Sequence, residues 1–133
     1  MAPPLAVAIA VVEQHDTFLI GQRPEGKVLA HLWEFPGGKV ERAETPSSAA
    51  IRECAEETGL HVQVMRLLHE QQQAYADFTV WLHFFWCRPV ASQPPPRPPF
   101  VWVNRNDLVR YRFPEGNRHV LEMLARGPLT DHA

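Results

Sequence analysis

One short stretch, Gly38 to Leu60, constrains this chain more than any other part of it. It follows a glycine, Gly37, crosses an acidic loop, and then carries the local signals of a helix from end to end. Thr45 is suited to the N-cap, because its hydroxyl can accept a bond from a backbone N–H of the first turn. Pro46 suits the first helical position, and Gly59 is a natural stop after Thr58. Ile51, Cys54, Ala55 and Thr58 recur at i, i+3, i+4 and i+7, which predicts the inward face. Glu53, Glu56 and Glu57 fall at i, i+3, i+4 on another face.

The segments around this helix read mostly as strands. Leu5–Val12 is short and rich in Val and Ile, as a buried strand is. Glu13–Asp16 reads as a turn and Thr17–Gln22 as the hairpin partner. Arg23–Lys27 contains Pro and Gly and is expected to be loop, and Leu32–Phe35 a short extended piece. His61–Gln71 and Phe78–Trp86 read as two further strands, and Phe100–Val103 as another. Asn106 is placed to cap a short helical turn. Asn117–Arg126 reads as a terminal amphipathic helix with Val120, Leu121 and Leu124 on its apolar side. Between them, Gln93–Pro99 is a polyproline-like surface connection. There are no internal repeats.

The chain has 133 residues, 45% of them hydrophobic and 21% charged, which suits one soluble domain with its own core. A net charge of −2 gives no reason to expect a nucleic-acid polymer or an anionic membrane as partner. A small anionic substrate remains open, since a metal ion can reverse the local sign. The apolar run Leu5–Val12 is too short to span a membrane and lacks a basic leader. A cytoplasmic monomer is the expectation. Cys54 and Cys87 form no CxxC pair and read as buried thiols.

Three carboxylates on one helix face repel each other by a few tenths of a kcal/mol per exposed pair. Alone, such a face is ordinary solvated surface. Here it follows a Gly-Gly turn that can bring backbone carbonyls close to an ion. Carboxylates and a carbonyl make an all-oxygen set suited to Mg²⁺ or Mn²⁺, which also hold phosphate oxygens. Arg52, four residues before Glu56, can pair with that carboxylate and orient it.

The segment reads Gly38, five residues, Glu44, seven residues, then Arg52-Glu53-Cys54-Ala55-Glu56-Glu57-Thr58-Gly59-Leu60. It resembles the Nudix box at every fixed position, with Cys54 where a larger apolar residue is usual. Leu32–Glu41 resembles the approach to the box in the MutT branch, whose members hydrolyse oxidised guanine nucleotides. Two departures stand out. Ala43 replaces a glycine common in relatives, which is expected to stiffen the loop. Val90–Val103 lacks the acidic residue considered as general base in some MutT enzymes.

The resemblance implies an α+β fold, the Nudix α/β/α sandwich around a mixed sheet, spanning residues 1–133. It implies hydrolysis of a nucleoside triphosphate to monophosphate and pyrophosphate with Mg²⁺, Mn²⁺ being a possible substitute. Glu53, Glu56 and Glu57 are expected to bind metal with the Gly37 or Gly38 carbonyl. Glu53 is the first choice for activating water, Glu44 the second, with Arg52 orienting. Arg23 matches an arginine on the phosphate side, and Asn117 an asparagine that reads the purine; Asn117 as a helix cap is the alternative. Lys39 is assigned to phosphate, Phe35 and Phe78 to flanking the base, and Asp77 to reaching the purine. Surface, core and turn roles are the plain alternatives for Lys39, Phe78 and Asp77. A pyrophosphatase acting on CTP or modified pyrimidine nucleotides is the second reading, and a non-catalytic nucleotide-binding module the third.

Overall fold

A computed structural model describes residues 4–26 and 29–130. Its frame is β1 (Leu5–Gln14), a strand that reaches the sheet centre because Ala8–Val12 are all apolar and buried. β1 pairs in parallel with β6 (Thr79–Pro89), which pairs antiparallel with β5 (Val62–Ala74). On its other edge β1 is shared. Its first half holds β4 (Gly37–Lys39), with Ala8 opposite Gly38. Its end continues into a tight hairpin with β2 (Thr17–Gln22), which pairs with β3 (Trp33–Glu34) and β7 (Val101–Asn104). One parallel pair among antiparallel ones makes the sheet mixed.

Alternation along β6 sends Phe85 and Cys87 to one face and Phe84 and Trp86 to the other. Helix α1 (Pro46–Thr58) covers the first face through Ala49, Ala50 and Cys54. Helix α2 (Arg118–Ala125) covers the second through Val120 and Leu124. The expected α/β/α sandwich is therefore present. No helix among the described residues is long and apolar enough to cross a membrane.

Several boundaries and faces differ from expectation. β1 extends to Gln14, so the turn is confined to His15 and Asp16, both at positive φ and tied by Asp16 to Arg105. Ile51 is exposed, and Ala50 takes its place on the inward face of α1. The short 3₁₀ turn Arg105–Arg110 starts after Asn104, and no side chain caps it. α2 begins at Arg118, preceded by a 3₁₀ turn at Glu115–Asn117. β5 runs past its predicted end to Ala74 because the hairpin keeps pairing to its tip, and β6 runs on to Pro89, where it still pairs with the start of β5 at Val62. Lys27, at the end of the predicted loop, lies outside the described residues.

Cys54 and Cys87 are buried, free thiols, pushed by desolvation to about 11 and about 12 respectively.

Candidate active site

The site is built where β4 meets α1. Thr45 caps α1 by accepting from Ser48 N at 3.1 Å, and Gly59 ends it at φ 82. A helix fixed at both ends holds its acidic face against the glycine strand. A Cβ on Gly38 would come within 2.4 Å of the Glu53 carboxylate, so any side chain there would have to push that carboxylate from its place. Glu57 Oε1 accepts from Gly37 N at 2.8 Å.

Burial pushes the Glu57 carboxyl up to about 7, and the nearby Glu34 and Glu53 carboxylates push the same way. The Gly37 N–H and Arg23 act in the opposite direction.

Arg52 joins the acidic groups together. Its guanidinium reaches Glu44 at 2.6 and 3.0 Å, Glu56 at 3.1 Å, Glu53 at 3.3 Å and Glu41 at 3.3 Å. Nη2 also donates to Lys39 O at 3.0 Å, tying the helix to β4. The expected Arg52–Glu56 pair is present, but the closer partner is Glu44. The bidentate fork from Arg52, with the Glu41 N–H, holds the Glu44 carboxyl below the usual carboxylate range. Ala43, in the turn that presents Glu44, has φ 67. This left-handed backbone strains any side chain, so the alanine carries a local cost here.

The donor set fits a hard divalent cation. It is all oxygen, and burial together with the neighbouring Glu34 and Glu53 raises the cost of charging Glu57, which a cation would offset. Among the described residues, no three His, Cys, Asp or Glu side chains are gathered on one point. Glu56 is turned to Arg52, and Glu57 to the Gly37 amide.

On the other side of the same glycines lies a cavity of about 230 Å³. Val7, Ile9, Phe35 and Leu82 make its apolar walls, and Asn117 and Arg23 bring polar groups to it. Arg23 Nη1 donates to Glu34 Oε1 at 2.6 Å. Phe35 is buried and packs on Phe113 with centroids 5.1 Å apart. Asn117 occupies the cap position of α2 yet makes no side-chain cap bond; its Nδ2 donates to Pro114 O at 3.3 Å. Hollows of about 480 and 600 Å³ lie elsewhere on the surface, and neither is lined by the carboxylates of α1.

The remaining predicted residues do not converge there. Lys39 is exposed on β4 and contributes its carbonyl to Arg52. Asp77 and Phe78 sit at the exposed tip of the β5–β6 hairpin, where Phe78 stacks on Tyr75 at 5.0 Å. Phe78 is 55% exposed, so it is neither core nor cavity wall, whereas Tyr75 does line the cavity. Sequence reasoning missed Glu34, Leu82 and Gly116. Glu34 lies eleven residues from Arg23 and is brought back to it where β3 pairs with β2; Leu82 and Gly116 are likewise brought together only by folding.

The profile of the NUDIX domain family matches residues 7–123. The chain belongs to the Nudix family. Among its relatives, it is 29% identical over 125 residues to the 8-oxo-dGTP diphosphatase of Escherichia coli strain K12, covering 92% of this chain and 97% of that one. It is 35% identical over 79 residues to the CTP pyrophosphohydrolase of the same organism, covering 59% and 58%. The crystal structure of a MutT NUDIX hydrolase from Burkholderia pseudomallei superposes with a TM-score of 0.78 at 23% identity, over 91% of this chain and 98% of the other, which shows a shared fold. Nudix hydrolases generally use divalent metal ions, and this Nudix chain presents its oxygen donors on α1 and β4.

Proposed function

We propose that this Nudix hydrolase is a Mg²⁺-dependent diphosphatase that prefers 8-oxo-dGTP, releasing 8-oxo-dGMP and pyrophosphate. The observation that carries the preference is Asn117, which lines an apolar cavity and makes no side-chain cap bond to α2. Pro114 O takes one amide hydrogen and fixes the amide plane. The carbonyl oxygen and the second hydrogen then serve the base. Ordinary guanine presents N7 as an acceptor, while the 8-oxo form carries a proton there. An amide can accept from that N7–H and donate to O6 together. With normal guanine, one amide group faces a like partner, and a buried unsatisfied group is costly.

Glu53, Glu56 and Glu57, with a Gly37 or Gly38 carbonyl, are the groups that would hold the ion. The ion would supply positive charge to the phosphate oxygens. Glu53 takes the proton of the water that attacks the β-phosphorus; the water oxygen ends in pyrophosphate and the bond to the α-phosphate oxygen breaks. Glu44 is the weaker candidate, because both of its oxygens are engaged by Arg52 and the Glu41 amide. Its role is to steady Arg52. Arg23, braced by Glu34, lies at the cavity and is assigned to the phosphate chain.

The test is kcat/KM for 8-oxo-dGTP, dGTP and CTP, with product analysis, for wild type and Asn117→Ala. Base reading by Asn117 predicts that the substitution removes about 1–3 kcal/mol of discrimination between the two guanine nucleotides. A wild-type enzyme with no preference for 8-oxo-dGTP overturns the reading. A preference for CTP would put the chain with the activity named for its relative.

A further inference from the structure

Helix α1 carries its charge at the unfavourable end. The C-terminus of a helix bears partial negative charge, so carboxylates in the last turn oppose the macrodipole and cations there favour it. Glu56 and Glu57 lie in that last turn, and α1 has no basic residue in it. Its last carbonyls also need partners, since no further turn of helix supplies N–H groups.

Both needs are met from outside the helix, by the proline-rich loop between β6 and β7. Arg97 Nη2 donates to Ala55 O at 3.0 Å and to Glu56 O at 2.7 Å. Arg97 N donates to Thr58 O at 2.9 Å. Gly59, the helix stop, lies beside the same guanidinium: a Cβ there would be 3.7 Å from Arg97 Nε. The loop is clamped a second time by Gln93, which accepts from His61 N at 2.8 Å and donates to His61 O at 2.7 Å. The prolines around Arg97 restrict the backbone between these clamps, so little entropy is lost in holding the guanidinium in place.

We infer that Arg97 is a positioning residue for the carboxylates of α1, with the proline-rich loop as its rigid brace. This rests on the assignment of Glu53, Glu56 and Glu57 as metal ligands. Arg97 touches main-chain oxygens of the turn that bears Glu56 and Glu57. It fixes where those side chains start without being a ligand itself.

The sign of the effect separates positioning from simple charge. Removing a cation near a cation site by itself strengthens metal binding, whereas losing the brace weakens it. The measurement is Mn²⁺ binding to the substrate-free protein by electron paramagnetic resonance, alongside the circular-dichroism melting curve. Arg97→Met, which keeps the length but has no donor, is expected to weaken Mn²⁺ binding by about tenfold, the scale of losing a supporting contact behind a metal ligand. Arg97→Lys, with donors retained, is expected to recover most of that loss. Gln93→Ala, which frees the other clamp, is expected to give a smaller weakening in the same direction. Unchanged or tighter Mn²⁺ binding by folded Arg97→Met overturns the inference. If that variant fails to fold, unchanged or tighter Mn²⁺ binding by folded Gln93→Ala overturns it. Wild-type protein that binds no Mn²⁺ would instead remove the metal assignment on which it stands.

Discussion

The two faces of the sheet solve opposite problems with the same two glycines between them. On the α1 face, charge is held by charge: one guanidinium reaches Glu41, Glu44, Glu53 and Glu56. On the α2 face, an apolar cavity is given polar direction mainly by Asn117 and Arg23. The first arrangement is net negative and suits a divalent cation, which would in turn make the site attractive to a phosphate chain. The second suits a flat base, where one misplaced donor decides what is accepted. Gly37 and Gly38 belong to both, because a strand without side chains lets carboxylates approach it and also leaves it lining the cavity.

Under this division, damage on the α1 face is expected to change rate and leave base preference alone. Glu53→Gln is expected to lower kcat by about 10²–10⁴-fold, the scale of a lost acid–base group. The loss should be the same for 8-oxo-dGTP and dGTP, so their kcat/KM ratio stays fixed. A shifted ratio would break the separation of the faces, and a larger loss in Glu44→Gln would move the base to Glu44. Excess chelator should abolish turnover of every nucleotide, and Mg²⁺ should restore it.

A smaller effect sharpens the electrostatic half of the comparison. The folded protein holds the Glu57 carboxyl at about 7, above its ordinary 4.5, chiefly through burial. A raised carboxyl contributes stability in full below the ordinary value, and that contribution is lost as pH rises through about 7. Glu57→Gln keeps an acceptor for the Gly37 N–H and removes the charge. In metal-free protein its melting temperature is therefore expected to exceed that of wild type above neutrality and to match it in mild acid. Equal melting temperatures at both would show that the α1 face carries no such charge cost.

The smallest expected change lies in the turn before α1. Ala43→Gly relieves a left-handed backbone strain of roughly 1 kcal/mol, partly offset by the greater freedom of glycine in the unfolded chain. A small rise in melting temperature with kcat unchanged is the expected result. A fall would mean that Ala43 is not strained in solution.

The sequence by itself determined the acidic helix and most of its surroundings. Thr45, Pro46 and Gly59 act within a turn or two of chain, so the helix ends were legible from neighbours alone. The carboxylate spacing and the Arg52–Glu56 pair follow from the same short-range geometry. The preference of Arg52 for Glu44 was less visible, because it depends on how the loop folds back. Tertiary structure decided the rest. It put Ile51 outward, because α1 meets the sheet on Ala50 and Cys54. It left Phe78 at a hairpin tip and turned Tyr75 to the cavity, since a long hairpin sets direction by register and not by local propensity. The cavity draws on β1, β3, β4, β6 and the turn before α2. Arg97 finishes a helix that ended 39 residues earlier, at Thr58. No periodicity connects positions so far apart: what joins them is the burial of both sheet faces, and the need of a helix's last carbonyls for partners.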